Sequence, residues 1–157
     1  MNDLISQFWL WMEKNFGKSP KEYAEKGMNQ NHGEFEDAFP LFAECITYAK
    51  YIVDSDTLEA DKLDDLLTIM AFDNESENVL EYIEEKSYGK QVQRIIELGV
   101  THIQMGARWQ IAELIYRTND PNAEKLLNVL KNDPHEYVSR RAENCLSLIE
   151  TSTNEVG

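Results

Sequence analysis

A chain of 157 residues is long enough for one domain with a substantial core. Its 42% apolar and 28% charged residues argue against disorder, and a formal charge of −14 argues against phosphate-neutralising contact with nucleic acid or an anionic membrane. Seven glycines, four prolines and few β-branched runs predict an all-α fold.

The first helix is predicted over Asp3 to Asn15, with Leu4, Ile5, Phe8, Trp9, Met12 and Phe16 on one face and Gly17 as its stop. Trp11 lies off that stripe. A membrane anchor of this kind carries basic neighbours, so the segment reads instead as a terminal helix closing a stack. The N-terminus lacks a basic region and a cleavage site, which predicts a cytoplasmic protein. Ser19-Pro20-Lys21-Glu22 starts a short helix, with Ser as cap and Pro at the first position. Gly27 to Gly33 reads as a polar loop holding His32.

A longer helix is predicted from Phe35 to Val53, starting or kinked at Pro40, with Phe39, Phe42, Ile46, Ala49 and Val53 inward. Asp56 to Glu59 has the spacing of a capping box for a helix through Ala71 that buries Leu63, Leu66, Leu67 and Met70. Asn74 or Ser76 is placed to cap the next helix, with Val79, Leu80 and Ile83 inward. Ser87-Tyr88-Gly89 breaks the pattern before Val92, Ile95, Ile96 and Val100. Asp120-Pro121 and Asp133-Pro134 each read as an N-cap with proline at the first helical position. The tail TSTNEVG is expected to fray. Cys45 and Cys145 fall at apolar mid-helix positions and read as buried, reduced thiols.

Ala107, Ile111, Leu114 and Ile115 fall on Val138, Ala142, Cys145 and Leu146 when shifted by 31 residues. Both sets follow an i, i+4, i+7, i+8 stripe, and Cys45, Ala49, Ile52 and Val53 fall in the same register two units back. Asp120-Pro121, Leu126-Leu127, Asp133-Pro134 and Val138-Ser139-Arg140-Arg141-Ala142 together resemble the short HEAT-like repeats of the phycobilisome-lyase type. The segment Ala107 to Glu113 looks like the preceding second helix. The resemblance covers about 45 residues and implies an α-α superhelix of about eight helices. Within a single domain, 1–157, it implies capping helices over 1–34, degenerate pairs over 35–100 and the clearest repeats over 101–151. It also implies a ladder of turn aspartates and second-helix arginines. Ser139 departs from that ladder where the family carries arginine, with Arg140 as the nearest substitute. Such repeats serve mainly as binding surfaces.

No nucleophile motif, phosphate loop or HExxH is present, so catalysis has no support and no cofactor is expected. Asp61, Asp64 and Asp65 share one helix face with the chemistry to hold a divalent cation, but without an ExxH partner a solvated acidic face is favoured. Asp73, Glu75, Glu77 and Glu84 match places in a calcium-loop count. Asn78 stands where that loop needs glycine, and acids at a helix start explain the same residues.

The charge distribution is more informative. Residues 54–87 hold twelve acids and two bases. With the inward positions taken by apolar residues, some of these acids are exposed, and a cationic partner would relieve their repulsion. The expectation is a non-catalytic module that binds a basic protein, in its sharpest form an immunity protein or inhibitor of a nuclease-type toxin. The partner surface would comprise Asp61, Asp64, Asp65, Glu75, Glu77, Glu81, Glu84 and Glu85, together with Arg108, Trp109 and Tyr116 beside the repeat stripe. Arg140 and Arg141 are expected to pair with turn aspartates such as Asp133. The alternatives are a metal-dependent hydrolase, a nucleic-acid enzyme on a HEAT-like scaffold, or a scaffold subunit of a complex.

Overall fold

The computed structural model describes residues 3–27, 36–86 and 90–156. They form nine α-helices and a short 3-10 turn, Glu36–Ala38, with no strand among the described residues. The helices are α1 (Asp3–Phe16), α2 (Pro20–Lys26), α3 (Phe42–Val53), α4 (Ala60–Phe72), α5 (Asn78–Glu85), α6 (Lys90–Gly99), α7 (Met105–Arg117), α8 (Ala123–Lys131) and α9 (Glu136–Val156). His32 and the Ser87–Gly89 break lie outside the described residues.

Several boundaries follow their local signals. Helix α1 stops at Gly17, whose φ of 65° any Cβ would resist and whose N–H closes on the Glu13 carbonyl. Ser19 caps α2 by accepting the Glu22 N–H at 3.1 Å. Pro40 sits in the turn before α3, which therefore starts at Phe42.

Other boundaries differ from expectation. The capping box at Asp56 does not form. Leu58 is drawn into the core, the chain stays extended through Glu59, and α4 begins only at Ala60. Leu58 and Leu63, both buried, flank this start in the positions of a hydrophobic staple. Helix α5 is opened by neither Asn74 nor Ser76. Asp73 reaches forward to accept the Val79 N–H at 2.7 Å and the Asn78 side-chain amide at 3.1 Å. Asp120 and Asp133 likewise close turns onto the N–H groups of Asn122 and His135 rather than capping directly. Helices α8 and α9 start later, and the His135 ring nitrogen takes the Tyr137 N–H. Helical structure does not end at Thr151. Helix α9 continues to Val156, with no helix breaker before Gly157, and the Thr151 hydroxyl bonds back to the Ser147 carbonyl.

Helix α7 lies at the centre of the packing. It touches α2, α4, α5, α6, α8 and α9, and it buries Met105, Gly106, Ala107, Trp109, Gln110, Ile111, Ala112, Leu114 and Ile115. A helix that is buried on nearly every side is apolar nearly all round. The one internal amide, Gln110, donates to the carbonyls of Met70 and Gly106 at 2.7 and 2.9 Å, while its Oε1 has no hydrogen-bond partner among the described residues. From Leu66 to Phe72 every residue of α4 is buried as well. The stripe shared by α7 and α9 is inward in both, apart from the half-buried Leu146. The matching residues of α3 are buried too, but α3 packs on α4 and α5, and it is α4 that lies against α7. Helix α1 is fastened by aromatic contact, with Phe8 stacked on Phe72 at 3.5 Å and Trp11 held between Phe8, Phe16 and Phe39.

A Cβ on Gly106 would lie 3.2 Å from the Cα, Cβ and carbonyl oxygen of Ala71. Backbone cannot step aside as a side chain can. Gly106→Val is expected to cost about 1–3 kcal/mol of stability through overpacking, measured by urea denaturation. An unchanged midpoint would show that α4 and α7 are not held at this distance.

Candidate functional site

A cleft of about 810 Å³ lies where the end of α4 and the N-terminal turns of α7 and α9 face α2. Tyr23, Glu36, Asn74, Met105, Trp109, Tyr137 and Arg141 line it, with Lys18, Glu22, Lys26, Glu75, Glu77 and His135 among the other lining residues. Trp109 is 7% exposed and meets Tyr137 edge to face at 5.5 Å. The Arg141 guanidinium lies 4.9 Å from the Trp109 ring centre and 5.8 Å from that of Tyr137. It pairs with Glu113 at 2.5 Å, not with a turn aspartate. Arg140 lies over Tyr137 instead of Asp133. Both arginines are displaced from their expected partner because Asp133 is already occupied by Arg108.

That pair is two-pronged: Arg108 Nε and Nη2 reach the Asp133 carboxylate at 2.7 and 3.1 Å, while Nη1 donates to the carbonyls of His102 and Ile103. Arg108 therefore spends its donors within the chain. Arg117 is a second hub, 3.5 to 3.8 Å from Glu77, Glu84 and Glu113. It ties α5 to α7, and Glu113 passes the chain of charges on to Arg141.

Two carboxyls that sequence reasoning did not single out as buried prove to be so. Glu36, 2% exposed, accepts from the Asn74 side-chain amide beside Tyr23. Burial pushes its carboxyl up to about 7, against the pull of its Asn74 and Tyr23 hydrogen bonds. Asp73, 1% exposed, is raised by burial to about 6 despite its role at the start of α5. Nothing in the local spacing marks which acids of an acid-rich chain will be buried. The only local signal was Asn78-Val79 following Asp73 at the reach of a carboxylate.

The expected surface residues divide into separate groups. Asp64 and Asp65 line a small depression with Trp9, Thr68, Ile103 and Gln104. Asp65 accepts from the Tyr48 hydroxyl at 3.0 Å, and Asp61 is exposed. Asp64 lies 2.7 Å from His102 Nε2. The other ring nitrogen of His102 accepts the Gln104 N–H, so Nε2 carries the proton, and burial lowers the His102 pKa. This contact is a hydrogen bond from a neutral ring.

Glu75, Glu77 and Trp109 meet at the cleft. Glu81 and Glu85 are exposed, Glu84 is bound to Arg117, and Tyr116 packs half-buried against the core. Among the described residues, no group of three or more His, Cys, Asp or Glu side chains is placed to hold a metal ion. Both thiols are buried and raised by burial, to about 11 for Cys45 and about 12 for Cys145. No described helix is long and apolar enough to cross a membrane. No family model, curated protein or solved structure matches the chain.

Glu36 and Asp73 bind protons more tightly when folded than in the unfolded chain, where their ordinary values are 4.5 and 3.8. Their stabilising contribution is complete below those values and is lost as pH rises toward about 7 and about 6. The native state then holds the extra proton, so stability falls with rising pH, by up to about 1.4 kcal/mol per pH unit for each group. Glu36→Gln is expected to flatten the fall between about pH 6 and 7 in urea titrations across this range. An unchanged slope would mean that Glu36 ionises as freely as in the unfolded chain.

Proposed function

We propose that this chain is a non-catalytic binding module for a basic protein, with its helices stacked as HEAT-like repeats. The observation that carries the reading is the charge left uncompensated on the 54–87 segment. Among the described residues, Asp61, Glu81 and Glu85 are exposed without an ion-pair partner, and the only partner of Asp64 in a salt-bridging position is the neutral His102. Like charge held this way costs stability, and a cationic surface seated on it repays that cost while accelerating encounter.

Two observations support the repeat reading. Helix α7 contacts both α4 and α9, as successive second helices of a stack would. Arg108 holds the position that Ser139 takes 31 residues later, and its guanidinium grips Asp133 in the next turn. The contact has the form of an aspartate–arginine ladder, and it breaks off at Ser139, whose hydroxyl turns to the Lys131 carbonyl. In stacks of this kind, side chains beside the inner stripe line a binding surface. Trp109, Tyr137 and Arg141 line the cleft.

The sharper form of the proposal is a cytoplasmic inhibitor, such as an immunity protein, that covers the phosphate-binding cleft of a nuclease-type toxin. A scaffold role in one complex would differ only in the partner's identity. The test is stopped-flow association with a basic partner isolated by affinity capture. Combined Asp61→Lys, Glu81→Lys and Glu85→Lys substitution should slow association by about tenfold or more at low salt, and added salt should slow the unmodified protein. Association insensitive to both would overturn the electrostatic reading.

A further inference from the structure

A smaller depression, about 330 Å³, lies where α1 and α2 face α4 and the turn before α7. Its wall is apolar, built mainly by Ile5, Trp9 and Ile103. The Trp9 ring is fixed edge-on against Phe8, Tyr23 and Phe72. Ile103 is held by its carbonyl, which accepts from Arg108, yet its side chain stands 66% exposed.

The floor is polar and unsatisfied. Gln104, 4% exposed, occupies the N-cap of α7 without a side-chain cap bond. Its Oε1 is shielded and has no hydrogen-bond partner among the described residues. The bonds that Gln104 makes there are those of its backbone: the N–H donates to His102 Nδ1, and the carbonyl accepts from Ala107 and Arg108. Thr68, 6% exposed, reaches the same depression from α4, and its hydroxyl makes no hydrogen bond to a described residue. A buried amide left unbonded costs stability, and an apolar side chain of the same length would fill the space without that cost.

The chemistry of the missing partner follows by elimination. The mouth carries both signs, Asp64 and Asp65 against Lys21, and both carboxylates already accept, from His102 and Tyr48. Charge therefore selects no ion here. A wholly apolar plug would cover Trp9 and Ile103 but leave the Gln104 amide unbonded. A single water takes up about 30 Å³, a small part of the space, and leaves the apolar wall wet. A carboxamide answers both surfaces. It offers one donor and one acceptor side by side, and the methylenes that carry it lie on the wall. Rotation about the soft terminal torsion of Gln104 turns either of its own amide atoms to meet them.

We propose that this depression seats a glutamine side chain of the protein partner, its carboxamide paired with Gln104 and its stem against Trp9 and Ile103. The proposal rests on the reading that the chain binds a protein, and it extends that surface, since Asp64 and Asp65 form the rim. Glutamine suits the site better than asparagine because its longer stem reaches a floor residue that is 4% exposed.

The experiment uses the full chain, isotope-labelled, titrated separately with the N-acetyl amides of glutamine, methionine and alanine. The Trp9 indole N–H and the Gln104 side-chain amide are followed. Capped glutamine is expected to shift both signals saturably. It should bind about fivefold or more tightly than capped methionine, which matches its length but lacks the amide. Equal binding of methionine would overturn the proposal. So would equal binding of alanine, which carries the backbone amides alone and would assign the seat to main chain. Gln104→Met should abolish the preference for glutamine while leaving the urea midpoint unchanged or raised. A lowered midpoint would show that the amide is bonded within the fold, against the proposal. Ile103→Ser, at an exposed position, should weaken glutamine binding without moving that midpoint, and unchanged affinity would contradict the seat. The Asp61→Lys, Glu81→Lys, Glu85→Lys protein separates this seat from the wider reading. If it associates slowly with the partner while no capped residue moves the Trp9 signal, only the glutamine seat is lost. If glutamine binds but those reversals leave association unchanged, only the electrostatic reading fails.

Discussion

The contact on which the rest depends is the approach of Gly106 on α7 to the backbone of Ala71 on α4. Without a side chain at Gly106 the two helices can close to backbone distance, and Gln110 can span the seam to the Met70 carbonyl. Close approach lets α7 be covered by α4 and α6 while α8 and α9 cover other sides of it. Gly99 contributes to the same economy of space, since a Cβ there would run into Ile111. The Ala71 carbonyl is also the acceptor for Tyr23 and Asn74, so the seam sets the position of α2 and of the turn that holds Glu36. Fold and cleft thus share one origin.

Charge is arranged about this centre in two ways. Near α7 it is neutralised within the chain: Arg108 with Asp133, Arg117 with three glutamates, and Arg141 with Glu113. These pairs are partly shielded and multiply bonded, which is where ion pairs hold geometry best. On α4 and α5, Asp61, Asp64, Glu81 and Glu85 are exposed, and the side chains that meet Asp65 and Asp64 are a hydroxyl and a neutral imidazole. Three arginines, Arg108, Arg117 and Arg141, are spent on these seams. The acidic excess is what remains outside.

How much of this was legible from residue order depends on the range of the interaction. The span of α1, its stop at Gly17 and the Ser19 cap rest on neighbours within four residues and could be read directly. The 31-residue stripe also predicted buried faces correctly, because helical periodicity is local. It did not say which helix would meet which: the same stripe in α3 is buried against α4 and α5 rather than forming the next member beside α7. Asp56 failed as a cap because the burial of Leu58 outweighed a local hydrogen bond. Arg140 and Arg141 lost Asp133 to Arg108, a competitor 25 residues away from it in the chain. Glu36 and Asp73 were hidden for the same reason. An acid's burial is decided by tertiary neighbours, and in a chain with 29 acids no pattern singles out two.

The central structural claim is that α7 is the interior helix on which both the fold and the cleft are built. Native-state amide hydrogen exchange measures this directly, because an element that opens only when the whole molecule opens is protected by the full free energy of unfolding. The amides from Trp109 to Ile115 are predicted to be the slowest in the chain, and to share one denaturant dependence with those of α4 from Leu66 to Met70. Faster exchange in α7 than in α8 or α9, through an opening insensitive to denaturant, would contradict the account.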